Sequence, residues 1–83
     1  MRYKIMSVRD RAADIYGQPF FVGSQGVGIR GFRDEINRAS PDNQLFKHPE
    51  DFDLFYLGEF DDNTGEFDVT RPVQVMVGKD CKE

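Results

Sequence analysis

The sequence predicts an α+β fold in which an antiparallel sheet of about five strands is covered on one face by one amphipathic helix. Three observations predict it. Short segments of β-branched and aromatic residues recur along the chain, a single stretch has the spacing of a helix, and the segment order is β-β-α-β-β-β. The 83 residues make one domain, 1–83, because a chain of this size buries only about 60% of its unfolded surface and cannot supply two cores.

The first two strands precede the helix. Residues 2–9 are predicted as a strand because Ile5, Met6 and Val8 favour sheets. Residues 10–14 look like a turn or a short helical connection, and residues 19–22, Pro-Phe-Phe-Val, form a short second strand. Two antiparallel neighbours are the simplest arrangement.

The helix is predicted from about residue 24 to residue 39. Ser24 is a good N-cap, and the apolar residues that follow it recur every three or four positions, namely Ile29, Phe32 and Ile36. Arg30 and Arg33 fall on a different arc, so the exposed side of the helix bears arginines. Pro41 ends the helix, since proline disfavours a helical residue before it.

The second half predicts three more strands. Residues 48–52 can form one helical turn that starts at Pro49. Residues 53–60 and 66–69 are predicted as a hairpin around a turn at 62–65, and residues 73–78 alternate again as a fifth strand. The charged residues 79–83 are expected to fray.

The strand at 53–60 is apolar on both sides. Alternation places Leu54, Tyr56 and Phe60 on one face and Phe55 and Leu57 on the other. One helix can cover only one of these faces. The sequence therefore predicts an uncovered apolar face, and a homodimer that buries it.

Charge is distributed unevenly. Residues 1–40 hold seven Arg and Lys against four Asp and Glu, whereas residues 41–83 hold four against eleven, and the formal net charge is −4. A basic half can bind nucleic acid or an acidic partner. A solvated surface with uneven charge is the alternative.

No set of residues predicts catalysis, a cofactor or a metal. Residues 26–31 spell G-x-G-x-x-G, but a dinucleotide site needs parallel strands around the helix, and a polar loop follows here. We interpret the glycines as a close approach of helix to sheet, with at most weak anion binding at the helix start. His48 and Cys81 are each the sole residue of their type and far apart, and the acidic residues 59–68 lack the spacing of a calcium loop.

The chain carries no pattern for export or membrane insertion. The lone Cys81 excludes a disulfide within the chain and fits a reducing compartment. The N-terminal residues have no apolar signal-peptide core, and no segment reaches transmembrane length. We therefore expect a cytosolic protein with no membrane partner.

Residues 37–54, NRASPDNQLFKHPEDFDL, together with 56–58 and 60–62, resemble the small nonstructural protein from the fifth open reading frame of gokushoviruses. These are tailless single-stranded DNA phages of the Microviridae. Residues 3–5, 10–12, 19–22 and 77–80 are similar to that family too, whereas the glycines at 26–31 depart from it. The resemblance implies a nonstructural DNA-binding protein, or a regulator of the switch from duplex replication to single-strand synthesis and packaging, in the cytoplasm of the infected bacterial host.

Two modes of binding stay open. If the partner is single-stranded DNA, basic residues contact phosphates and tyrosines stack on bases, and the arginine side of the helix is the main surface. The candidates are Arg2, Lys4, Arg9, Arg11, Arg30, Arg33 and Arg38, with Tyr3, Tyr16 and Tyr56 for stacking. The alternative is an acidic homodimer that binds the phage replication initiator or a host replication protein without contacting DNA.

Overall fold

A computed structural model describes all 83 residues of the chain. Its strands are β1 (Arg2–Asp10), β2 (Ile15–Tyr16), β3 (Phe20–Val22), β4 (Phe52–Asp61) and β5 (Glu66–Val77). Its helices are α1 (Gln25–Ile36), α2 (Gln44–Lys47) and α3 (Gly78–Cys81), and a 3-10 turn at Pro49–Asp51 leads into β4. The predicted α+β class, with five strands, is confirmed.

The sheet is antiparallel in every pairing. Strand β1 pairs with β4 along one edge and with the short strands β2 and β3 on its other edge. Strand β5 pairs with β4 and forms the opposite edge of the sheet. We call the side packed against α1 the covered face and the other side the open face.

The predicted order β-β-α-β-β-β is wrong in two places. Ile15 and Tyr16, just after the connection predicted at residues 10–14, form a short strand that was not predicted, because they pair with Asp10 and Arg9 at the end of β1. The predicted strands at 66–69 and 73–78 are not separate: residues 66–77 form the single strand β5, and Gly78 begins α3. Pro72 does not break β5, because an edge strand leaves one side of its backbone unpaired and tolerates a missing N–H there.

The start of α1 is as predicted. The Ser24 hydroxyl accepts a hydrogen bond from the Val27 amide at 3.2 Å. The helix ends at Ile36 instead of near residue 39, because Asn37 caps it and its side-chain amide donates to the Arg33 carbonyl at 2.9 Å. None of the three helices is long and apolar enough to span a membrane.

The C-terminal segment, for which a frayed tail at residues 79–83 was predicted, forms helix α3 and contacts α1 in the structure. Helix α3 buries Cys81, which is only 3% exposed and belongs to the core. The Asn37 side chain donates to the Cys81 carbonyl and accepts from the Glu83 amide, at 2.9 and 2.8 Å. These contacts could not be predicted from local sequence patterns, because they join positions more than 40 residues apart.

The core lies between the sheet and α1. Its buried residues come from β1, α1, β4 and α3 and are Met6, Phe32, Ile36, Phe52, Leu54 and Cys81. Burial of each large apolar side chain stabilises the fold by about 1.5–3 kcal/mol. The predicted apolar stripe of the helix supplies two of these residues, Phe32 and Ile36.

A bulge at Gly58 reverses the faces of β4. Ile5 pairs with Gly58 while Met6 pairs with Tyr56, so Leu57 is an extra residue in β4. Alternation therefore restarts, and Phe60 lies on the open face with Phe55. The prediction that Phe60 shares a face with Leu54 and Tyr56 is wrong for this reason.

Candidate nucleic-acid interface

The open face carries three phenylalanines in contact, which we call the aromatic patch: Phe21 from β3, Phe60 from β4 and Phe67 from β5. The ring centroids of Phe21 and Phe60 are 5.7 Å apart in a stacked arrangement, and those of Phe60 and Phe67 are 4.8 Å apart. Phe21 and Phe67 are 51% and 59% exposed. Half-buried Phe60 thus supports two aromatic side chains that face solvent.

A second aromatic pair lies at the other end of the same face. The rings of Tyr16 and Phe55 meet edge to face at 5.3 Å. Arg9 pairs with Tyr16 across the strands and places its guanidinium 5.6 Å from the tyrosine ring centre. The open face therefore offers aromatic surface at both ends of β1.

The charged residues of the β4–β5 hairpin lie on the opposite side. Arg2 lies 3.4 Å from Glu59 and 3.6 Å from both Asp61 and Asp68, and Lys4 lies 2.9 Å from Glu59. These side chains share the covered side because Arg2 and Lys4 alternate with Tyr3 and Ile5 along β1. At this end of the molecule one side is apolar and the other is charged.

The Glu59 carboxylate has a pKa below its ordinary value, because Lys4 and then Arg2 donate hydrogen bonds to its charged form. The same contact raises the pKa of Arg2. Because this pKa is lower in the folded than in the unfolded chain, where it is about 4.3, the charged carboxylate stabilises the fold at pH values above 4.3. This stabilisation is lost as the pH falls through the folded pKa.

Lys4→Gln is therefore expected to raise the pKa of Glu59 toward its ordinary value, since it removes the closest cation. Carbon-detected NMR titration of the carboxyl groups measures this shift. The stability difference between wild type and variant should be present near pH 7 and shrink as the pH falls through the lowered pKa. An unchanged Glu59 titration in the variant would show that Lys4 does not hold the carboxylate.

The predicted contact residues form three separate groups. Arg2 and Lys4 lie by the hairpin. Arg9, Arg11 and Tyr16 lie at the far end of β1. Arg30, Arg33 and Arg38 lie on or just after α1, while Tyr3 is on the open face and Tyr56 on the covered face. No single surface gathers them.

Most of the predicted basic residues already have acidic partners. Besides Arg2 and Lys4, Arg9 contacts Asp14 at 2.5 Å, Arg11 contacts Asp53 at 3.1 Å and Arg38 contacts Glu35 at 2.6 Å. The carboxylates beside Arg9 and Arg38 raise the pKa of each guanidinium. Only Arg30 and Arg33 of the seven candidates have no carboxylate within 4.0 Å. Far fewer basic side chains are therefore available to contact phosphates than the charge of residues 1–40 suggests.

The sequence predicted an uncovered apolar face, but the three phenylalanines of the aromatic patch were not predicted to lie on it. A signal was present in Phe20 and Phe21. Consecutive residues of a strand point to opposite faces, so only one of the two could reach the core, and that one is Phe20. Phe67 alternates with Glu66 and Asp68 in a strand that proves to lie at the sheet edge.

The other motifs have structural roles. A Cβ on Gly28 would meet the Met6 sulfur at 2.3 Å, so this glycine lets α1 approach β1 as predicted. Asp61 accepts a hydrogen bond from the Asn63 amide at 2.9 Å and so shapes the hairpin turn. His48, Glu50 and Asp51 hold ligand atoms within 4.8 Å of one another, a group that sequence reasoning did not consider, but it lies within one short turn at the surface.

Comparison with known proteins identifies the family of the chain. Residues 3–81 match the family described as "Phage ORF5 protein". The chain is 41% identical over 63 residues to "Protein ORF5" of Chlamydia phage 1, an alignment that covers 74% of this chain and 66%, just under two thirds, of that protein. No solved structure matches the chain. The expected resemblance to the gokushovirus protein is thus confirmed, and the chain belongs to the phage ORF5 protein family.

Proposed function

We propose that this protein is a nonstructural regulator of phage DNA replication, which binds single-stranded DNA in the cytoplasm of the infected bacterium. The open sheet face is the binding surface. The aromatic patch supports this function, because Phe21 and Phe67 are more than half exposed while each ring contacts Phe60. Binding there would act where single strands accumulate, at the switch from duplex replication to single-strand synthesis and packaging.

Exposed rings suit single strands because unpaired bases can stack on them. Each base stacked on an aromatic side chain contributes about 1–3 kcal/mol, with little dependence on sequence. A duplex keeps its bases stacked on one another and cannot offer their faces. An aromatic sheet face therefore supports a preference for single-stranded over double-stranded DNA.

The pairing of the basic side chains also favours single-stranded over double-stranded DNA. A duplex-binding protein depends on many phosphate contacts, and here five of the seven candidate basic side chains are paired within the chain. One of them can still help. Arg9 lies over the Tyr16 ring, and its partner Asp14 is 81% exposed. A surface ion pair of this kind contributes only about 0–1 kcal/mol, so a phosphate could replace Asp14.

Fluorescence anisotropy with a labelled 20-nucleotide oligo-dT and a matched duplex tests the proposal. We expect the single strand to bind at least tenfold more tightly in 50 mM salt. The one phosphate contact proposed, through Arg9, predicts a plot of log K against log salt with a slope of about −0.7 for single strands. Equal affinity for both DNAs, or no binding at low salt, would contradict the proposal.

A protein-binding homodimer is the second candidate, and the same open face favours it. Phe67 and Val69 are 59% and 68% exposed on this face, and an apolar patch of this kind is typical of protein interfaces. Its partners would be the phage replication initiator or a host replication protein. A dimer that buries the open face would compete with DNA, so light scattering showing a dimer that oligo-dT does not disturb would favour this candidate.

A further inference from the structure

A groove on the covered face, on the opposite side of β3 from the aromatic patch, has no role in the proposed DNA binding. It has a volume of about 360 Å³ and runs between α1 and the strands β1 and β3. Val8 and Val22 line it from the strands, Leu45 lines it from α2, and Val27 of α1, also a lining residue, is 44% exposed. An apolar groove beside a helix can accept the apolar side chains of an amphipathic segment.

Gly31 supplies an independent reason to regard the groove as functional. This glycine lines the groove in the middle of α1, where glycine is the least favourable residue after proline. Gly28 is explained by its contact with Met6, but a Cβ on Gly31 would meet nothing within 4 Å. No contact within the chain requires a glycine there. Its absent side chain leaves the helix backbone open to whatever enters the groove.

The charges of the groove define its occupant. Glu35 is its one charged lining residue, and exposed Asp34 is its neighbour on α1. The Glu35 carboxylate contacts Arg38, but both side chains are well exposed, at 40% and 57%, and such a pair exchanges partners at little cost. An apolar side chain would fill the groove and an adjacent cation would reach these carboxylates.

We propose that the groove binds a basic amphipathic segment of a partner protein, with an apolar side chain seated against Gly31 and a lysine or arginine beside Glu35. The probe is a pair of synthetic 14-residue helical peptides with the same leucines, one carrying lysines and the other glutamates. Both are titrated in 150 mM salt, which limits attraction between distant charges, and followed by methyl NMR of the protein. We expect the lysine peptide to bind at least tenfold more tightly and to shift the methyl signals of Val8, Val22 and Leu45.

Gly31→Leu is the decisive variant, because it fills the groove and changes no charge. We expect it to weaken the lysine peptide tenfold or more, whereas Val69→Ser on the open face should leave its affinity unchanged. Gly31→Ala serves as a folding control and should raise the Tm by about 4–8 °C, since alanine favours helices. The wild-type methyl shifts test the site even if Gly31→Leu fails to fold.

Several outcomes would overturn the proposal. It fails if neither peptide binds, if the glutamate peptide binds equally well, or if the shifts map outside the groove. It also fails if a folded Gly31→Leu binds as tightly as wild type. Groove shifts that depend on protein concentration alone, and vanish in Gly31→Leu, would identify the occupant as a second copy of the chain instead.

Discussion

Phe67→Ser is expected to lower the affinity for oligo-dT by about 5- to 150-fold, the effect of losing about 1–3 kcal/mol from one stacked base. The phenylalanine ring is 59% exposed, so its removal costs the fold little. The remaining contact between Phe21 and Phe60, at 5.7 Å, does not depend on Phe67. Anisotropy measured at one salt concentration gives the ratio of dissociation constants directly.

The matched control is Arg33→Gln on the exposed side of α1. This residue has no ion pair, so its charge is free to attract phosphates from a distance, but it lies away from the open face. We expect a loss of less than threefold, confined to low salt. A larger loss for Arg33→Gln than for Phe67→Ser would mean that the arginine side of the helix, and not the aromatic patch, is the binding surface.

Gly58→Ala is expected to destabilise the fold by about 2–4 kcal/mol. Gly58 has φ of +140°, a conformation that side chains disfavour, and a Cβ there would lie 2.4 Å from the Asp68 carbonyl oxygen and 2.7 Å from the Val69 Cα. Strand β5 would have to move away from β4. A chain of this size has a total stability of only about 5–10 kcal/mol, so chemical denaturation will measure the change easily.

The bulge also connects stability to function. If the strands relieved the strain by shifting their register so that the bulge disappeared, Phe60 would turn to the covered face. Phe21 and Phe67 would then lose the ring that they contact. Oligo-dT affinity should therefore fall in Gly58→Ala even where the variant remains folded. The control is Gly31→Ala, another glycine change, which should stabilise the fold. Equal stability of wild type and Gly58→Ala would contradict the assigned bulge.

Local patterns predicted the elements that depend on local interactions. Ser24 and the spacing of Phe32 and Ile36 identified α1 and its buried stripe, and the alternation around residues 62–65 identified the β4–β5 hairpin. The cap hydrogen bond and the turn contacts that these patterns imply are formed by neighbours in sequence. Such features need no knowledge of the rest of the chain.

Features that depend on distant contacts could not be predicted in this way. The bulge at Gly58 is visible only in the pairing with Ile5, and one extra residue moves Phe60 to the other face. Helix α3 forms where a charged tail was expected, because Cys81 packs into the core. The net charge of residues 1–40 likewise takes no account of acidic residues elsewhere in the chain. Glu59 is the main example, because it pairs with both Arg2 and Lys4.

The stacking of single-stranded DNA on the open sheet face can be tested by photo-crosslinking. A 20-nucleotide oligo-dT carrying 4-thiothymidine would be crosslinked to the protein, and the modified residues identified by mass spectrometry. We predict crosslinks at Tyr16, Phe21 and Phe67, all exposed on the open face. Crosslinks confined to α1 around Arg30 and Arg33, or none above a duplex control, would contradict it.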